Sequence, residues 1–307
     1  MASFVVRRLL QLVVTIWGAL TVVFVLMHLA GDPTHLMVSD LATPQQIAQL
    51  RAELGLDKPP LVQYGIYLAR TLHGDFGMSI REGQPVTVLV LHRLPYTLEL
   101  ALAAVILSTL FGIVFGVLGA ITRGTIYDRV LLVLALLGQS VPTVWLGILL
   151  ILMFAVVFRI MPASGAGDLK HLVLPAVSLG TFSLARTARI ARSSMIDVLN
   201  QDYVRTARAK GLREFVVVNR HAIKNASISV VTVIGFTFAT LIGGAIITEA
   251  IFAWPGIGSL IVDAVSLRDF PLVQGAVFAT AVLVAVTMLL IDFTYRFLDP
   301  RITFEAK

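Results

Sequence analysis

The chain has 307 residues, of which 57% are hydrophobic and only 14% charged, with a mean hydropathy of +0.89. Soluble domains carry about 25% charged residues, so this composition excludes a soluble globular domain and belongs in a bilayer. Cysteine is absent, which excludes a disulfide frame, a thiolate zinc site and a cysteine nucleophile, and the formal charge of +6 is gathered in particular segments.

A membrane span needs about 20 mainly apolar residues. The first such stretch is Leu9–Ala30. It is too long for a cleavable signal, and no small-residue cleavage pattern follows it. Next comes a polar region with helical marks. In "TPQQIAQLRAELG", Thr43 suits a cap, Pro44 the first turn and Gln46 a capping box, with Ile47, Leu50 and Leu54 on one face and Gly55 as a stop. "LVQYGIYLARTL" repeats an amphipathic pattern, and "PVTVLVLHRLPYTLEL" leads into the second span, Thr97–Ile121. Residues 31–96 read as a small helical cap on the outer face; the competing reading is helices lying on lipid.

The third span, Val130–Phe158, is long and interrupted by "GQSVPTVW". The fourth, Leu172–Ala191, is the weakest, because Pro175 and Arg186 interrupt it. Ala226–Ile247 is the fifth and Leu272–Ile291 the sixth, while "IFAWPGIG" is too short and broken to cross. With the N-terminus inside, 16 of the 24 Lys and Arg fall on inner segments, nine of them between Arg186 and Lys224, and 11 of the 18 acids fall outside. The inside-positive rule therefore gives an N-in, C-in topology with six spans.

The inner segment "DYVRTARAKGLREFVVVNRHAIKNA" is more than surplus charge. Asn200 or Asp202 can start a helix, Gly211 can end it, and Arg205, Arg208 and Lys210 sit where the helix dipole favours cations. A second helical stretch begins at Leu212, with Phe215, Val216 and Val218 as its apolar positions. A topology signal needs only the charge. A helix, a glycine turn and an apolar-faced helix together point to docking on a protein partner.

The middles of the spans hold Gly, Ser, Thr, Gln and Pro rather than ionised residues, and Arg186 falls toward the inner side. Gln139, Ser140 and Thr143 flank Pro142, Ser178, Thr181 and Ser183 lie in span four, and Thr237 and Thr240 in span five. They read either as a polar patch on a translocation path or as local satisfaction of a kink and helix packing. Glu99, Glu249 and Asp292 lie near span ends, which weighs against an ion-coupled carrier. No Ser/Lys, His/Glu or paired-Asp constellation marks an intramembrane enzyme, no metal-ligand cluster is present, and no G-x-x-x-x-G-K-[ST] phosphate loop occurs. The chain is expected to be a transport subunit with no catalytic residue or cofactor of its own.

"DYVRTARAKGL" followed by "RHAIKNA" resembles the cytoplasmic loop of permease subunits of binding-protein-dependent ABC importers, in particular the dipeptide/oligopeptide/nickel branch. The general pattern is Glu-Ala-Ala-x-x-x-Gly with a later Ile-x-Leu-Pro. Here Ala207 and Gly211 match, while Arg205 and Thr206 stand at the Glu and first Ala positions and no Leu-Pro closes the motif. "RRLLQLVVTIWGALTVVFVLMHLAGDP", "LGLDKPPLVQYGIYLARTLHGDFGMS", "GQSVPTVWLG", "LPAVSLG" and "TEAIFAWPGIGSLIVDAVSLRDFPLVQGAV" extend the resemblance, in order, over nearly the whole chain. It is closest to the first permease of such a pair.

The resemblance implies an all-α polytopic permease of the type I importer kind in the bacterial inner membrane. It divides the chain into residues 1–95 (first span and outer segment), a 96–297 permease core and a 298–307 cytoplasmic tail. It implies a second homologous permease, two ATP-binding subunits (or one fused) holding ATP and Mg, and an extracytoplasmic solute-binding protein; it implies no nucleic acid. The loop at about 193–226 becomes the coupling element. Within it Asp202, Tyr203, Arg205, Thr206, Ala207, Arg208, Lys210, Gly211 and Leu212 face or support the ATPase: Arg205 and Arg208 as charged contacts, Tyr203, Ala207 and Leu212 as the packed side, and Gly211 as a turn too tight for a Cβ. Glu249, Trp254 and Gly256 shape an outer gate or a docking surface for the binding protein, with a Trp interface anchor as the competing role. The implied cargo is di- or oligopeptide, with nickel chelate, glutathione, haem or another small solute as the alternative.

Overall fold

The computed structural model describes residues 2–30, Gln45, Arg51, Ala52 and 57–298. The proposed helix over "TPQQIAQLRAELG" and the 298–307 tail fall largely outside these residues. The described chain is helical. The elements are α1 (Ala2–Ala30), α2 (Pro60–Leu72), α3 (Val86–Ile121), α4 (Ile126–Ser140), α5 (Thr143–Leu150, continued as a wider π turn Ile151–Val157), α6 (Leu169–Leu199), α7 (Asp202–Ala209), α8 (Ile223–Ile251), α9 (Ile257–Ser266) and α10 (Phe270–Leu298).

Four of these helices are long and apolar enough to cross a membrane: α1, α3, α8 and α10. Their apolar faces are largely unburied within the chain, as expected where lipid is the solvent. The interruption expected in the third span is a sharp break: α4 and α5 meet at 103° across Val141 and Pro142. Proline has no N–H to continue the ladder and disfavours helix in the residue before it, and Val141 is extended. The fourth element is not interrupted at all. α6 runs unbroken through Pro175 and Arg186 for 31 residues, roughly 46 Å at 1.5 Å per residue. Its charge, not its length, keeps it from reading as a plain apolar span.

The chain divides into two compact units. The first comprises Met1–Thr97 with Pro255–Leu289. Val86 and Val90 of α3, Ile257 and Leu260 of α9 and Leu272 and Val273 of α10 form its core. Here α2 lies against α1: the Tyr64 hydroxyl is 2.6 Å from Thr21 Oγ1, and Phe24 contacts the Tyr64 and Tyr67 rings at 5.1 and 5.8 Å. That contact favours a segment packed on α1 over a helix lying on lipid. Residues 75–86 are tied down by buried Asp269, which accepts from Ser79 Oγ at 2.6 Å, Arg81 N at 3.1 Å and Leu272 N at 3.2 Å. The left-handed backbone of Arg268 (φ 55°) turns that carboxylate inward.

The second unit, Leu98–Trp254 with Leu290–Lys307, is organised around α6. Glycines let α3 approach it at backbone distance. A Cβ on Gly112 would stand 2.7 Å from Thr187 Cβ, and one on Gly116 would stand 2.5 Å from Ala191 Cβ. Small residues at such crossings suit a bilayer, where close packing rather than water expulsion holds helices together. α4 packs on the neighbouring face of α6 through Ala135, Ala185 and Ala188.

Candidate functional site

The inner segment forms a separate short helix, α7, closed by a turn at Gly211. The turn is a Schellman motif: Gly211 N donates to Arg208 O at 2.9 Å and Leu212 N to Ala207 O at 3.4 Å. Gly211 has φ +77°, and a Cβ there would touch nothing within 4 Å. The glycine is needed for its left-handed backbone, not for clearance. The helix starts at Asp202, one of the two expected starts, but without a side-chain cap. Asn200 ends α6, the N-cap position is Gln201 with no side-chain cap bond, and Asp202 lies in the first turn, where its charge meets the dipole.

α7 is seated by a small apolar cluster. Val204 and Ala207 are buried against Val217, with Val198 and Leu199 of α6 beside them. Of the three residues expected on the packed side, only Ala207 is buried; Tyr203 and Leu212 are about 40% exposed. The Tyr203 hydroxyl accepts from Asn225 Nδ2 at 2.8 Å, which ties α7 to the start of α8. The expected second helix is one turn, Glu214–Val216, that widens into a π turn, Val217–Ala222, and continues into α8. Its buried positions are Val217, Val218 and Ala222, while Phe215 is exposed.

The charged residues divide. Arg208 is bound to Glu214 by two bonds of 2.6 and 3.1 Å. That pairing holds the Glu214 carboxyl below the usual carboxylate range and raises the guanidinium further. Arg205 stays exposed with only Asp202 at 3.7 Å, and Lys210 is exposed. Arg208 thus closes the loop on itself, and Asp202, Arg205, Thr206 and Lys210 are left on the open side of α7. An open pocket of about 220 Å³ separates the Arg208–Glu214 pair from Arg123, Ile196 and Asn200 at the ends of α3 and α6.

The polar residues of the expected path gather in part. Gln139, Ser140, Pro142 and Thr143 form the α4–α5 bend, where Thr143 O accepts from Ser178 Oγ at 3.1 Å and Gly138 abuts Thr181. Their hydroxyls largely satisfy backbone: Ser140 bonds Leu136 O at 2.9 Å and Thr181 bonds Val177 O at 2.6 Å. On α8, Thr237 is buried and Thr240 bonds Phe236 O at 2.6 Å. At the end of α8, Glu249 is fully buried and Trp254 is 2% exposed. That burial removes the role of interface anchor for Trp254. Ala253 between them takes a left-handed backbone (φ 46°), and Trp254 N donates to Glu249 O at 2.9 Å. In the first unit, Gly256 precedes α9, whose first N–H donates to Thr97 Oγ1 at 2.8 Å.

Sequence reasoning missed the ion pair of Asp128 with Arg192. Arg192 Nε and Nη2 each donate to the carboxylate at 2.7 Å, and Gly124 N donates at 3.0 Å. A signal existed, since Asp128 is the one acid between Glu99 and Asp168.

Long apolar helices, polar residues that largely satisfy their own backbone and a charged loop between two of the helices define an all-α, multi-pass membrane protein. The family is specific. A model described as "Binding-protein-dependent transport system inner membrane component" matches residues 112–304, and its N-terminal companion matches residues 1–101. The chain belongs to this family of transport permeases. It is 40% identical to the dipeptide transport system permease protein DppB of Escherichia coli K12, over 98% of this chain and 99% of that one. It is also 40% identical to a putative peptide transport system permease protein of Brucella abortus, over 99% of this chain and 100% of that one. A di/tripeptide transport system permease of Pseudomonas aeruginosa matches equally, at 40% over 98% of this chain and 99% of that one. Among solved structures, the inward-facing MetNI methionine ABC transporter aligns with a TM-score of 0.59 at 19% identity, covering 69% of this chain and 96% of that one. An amino acid ABC transporter aligns at 0.53 and 17% identity, covering 68% and 94%. At such identities these structures establish the shared fold alone.

Proposed function

We propose that the chain is half of the translocation pathway of an ATP-driven importer for di- or oligopeptides. A second permease completes the path, an extracytoplasmic binding protein delivers the peptide, and two ATP-binding subunits on the inner side supply the work. The observation that carries the peptide reading is the 40% identity, over essentially full length, to relatives named for dipeptides and peptides. The ATPase and binding-protein partners are inferred from membership of the binding-protein-dependent transport family. The N-in, C-in arrangement with six spans follows from the Lys and Arg distribution, with bent α4–α5 and charged α6 supplying the third and fourth crossings.

In this reading α7 is the coupling helix. A two-state membrane domain shifts only if ATP binding makes different contacts in its two states. A helix fixed by a Schellman turn, an apolar seat and the Arg208–Glu214 pair transmits that difference; a flexible tether would dissipate it. The open face bearing Asp202, Arg205, Thr206 and Lys210 is the surface offered to the ATPase, and Glu249, Trp254 and Gly256 lie on the outer side. The polar bend at Gln139–Thr143 with Ser178 and Thr181 borders the path, together with Thr237 and Thr240.

The test is uptake of radiolabelled glycyl-leucine into cells lacking other peptide importers, competed with tripeptide, nickel–histidine, glutathione and haem. Competition by peptides alone supports the reading, and competition only by one of the other solutes reassigns the cargo. Topology is tested separately. The chain has no native cysteine, so Lys210→Cys gives a clean label expected to react only from the inner side.

A further inference from the structure

The Asp128–Arg192 pair belongs to neither the α7 surface nor the polar bend, yet it joins the helix that ends at the bend to the helix that leads to α7. Its position follows from how α3, α4 and α6 meet. α3 and α6 run in backbone contact past Gly112 and Gly116, and the next small residue, Gly119, opens a notch. A Cβ there would stand 3.3 Å from Arg192 Cδ and 3.4 Å from Asp128 Oδ1. Through that notch the guanidinium reaches across to the first turn of α4 and grips both oxygens of Asp128 at 2.7 Å. The carboxylate is 4% exposed, and Gly124 N donates to it from the α3–α4 turn.

Such a pair is a poor stabiliser: desolvation largely cancels the attraction, and an apolar replacement often serves as well. It is a good orienter, because a two-pronged charged contact fixes angle as well as distance. Its two ends are attached to different parts. Arg192 belongs to the inner stretch of α6, whose Val198 and Leu199 seat α7. Asp128 belongs to α4, 15 residues long, whose far end is the bend of Gln139, Ser140 and Pro142. α4 is a single uninterrupted helix, so a push at its first turn is carried to its last.

We propose that Asp128 and Arg192 are positioning residues that pass displacement of the coupling helix from α6 to α4, and so to the polar bend. α6 alone carries the motion as far as Arg192. The pair makes α4 follow rather than slide along the small Ala135, Ala185 and Ala188 contact. This inference rests on the reading of α7 as the coupling helix.

The test uses the complete transporter, purified with the subunits that co-purify with this chain and reconstituted in proteoliposomes. The readout is glycyl-leucine taken up per ATP hydrolysed. Asp128→Asn and Arg192→Gln are expected to assemble and hydrolyse ATP while uptake per ATP falls roughly tenfold, within the range of a typical coupling energy. The double variant is expected to be no worse than either single one, and the exchange of Asp128→Arg with Arg192→Asp to recover part of the loss. Arg192→Lys, which keeps charge but not the fork, is expected to fall between. Uptake per ATP unchanged in assembled single variants overturns the proposal. So does failure of every variant, Arg192→Lys included, to assemble, since the pair would then serve folding alone. Gly211→Pro, measured alongside, separates the two readings: if it too leaves coupling intact, the fault lies with the coupling role of α7 itself.

Discussion

Gly211 allows a graded perturbation of the coupling helix. At φ +77°, with nothing within 4 Å of a would-be Cβ, alanine meets no clash and suffers only the left-handed backbone penalty, about 1–2 kcal/mol. A shift of that size changes the population of the closed turn by a factor of roughly 5–30. Asparagine tolerates the left-handed region better and is expected to cost less than alanine. Proline cannot comply. It loses the N–H that bonds Arg208 O at 2.9 Å, about 1 kcal/mol, and its ring holds φ near roughly −65°, so the Schellman turn must open. The expected order of substrate-stimulated ATPase in the reconstituted complex is Gly, Asn, Ala, then Pro, with uptake following it and membrane insertion unchanged. Wild-type stimulation and uptake in Gly211→Pro would refute the reasoning, because a turn that can open freely transmits nothing.

Three further outcomes follow from particular contacts. The Glu214 carboxyl has its pKa lowered by Arg208, so the pair's contribution is present above the ordinary glutamate value of 4.5 and is lost as pH falls through the depressed folded value. Both partners are about half exposed, so Glu214→Gln at neutral pH is expected to cost less than about 1 kcal/mol and to matter less in high salt, read from melting curves at two salt concentrations. Gly116→Ala forces a Cβ to 2.7 Å from Ala188 O and 2.9 Å from Arg192 N, both backbone atoms; a loss of about 1–3 kcal/mol is expected from overpacking, seen as a lower detergent melting temperature. Asp269→Ala leaves the buried Ser79 hydroxyl and Arg81 N–H without their acceptor, at about 3 kcal/mol or more for two such groups, and is expected to loosen residues 75–86 to hydrogen exchange.

Much of this architecture was legible because bilayer spans announce themselves by length and apolarity, and because a glycine after a basic helix marks a left-handed turn. What was hidden has physical reasons. Pro175 and Pro142 look alike in sequence, yet one sits within an unbroken helix and the other at a 103° break. In the 214–222 stretch Val218 is buried as its apolar character suggests, whereas Phe215 faces outward; apolar character alone does not say which side of a short turn is covered. The Arg208–Glu214 pair forms across the Gly211 reversal, which brings Glu214 back beside the helix, a contact that the pattern of basic residues does not signal. Asp128 with Arg192 and Ser79 with Asp269 bridge 64 and 190 residues, separations at which no local pattern signals contact. The polar residues of the spans were legible as polar, but their hydroxyls turn mostly to their own backbone.

The central claim is that ATP, acting through α7, drives peptide inward. Its most direct test is glycyl-leucine accumulation in proteoliposomes holding the full complex, with ATP supplied on the ATPase side and held constant, before and after a protonophore. The account predicts accumulation that requires ATP and is indifferent to the protonophore. Accumulation that the protonophore abolishes, or that proceeds without ATP, would contradict it.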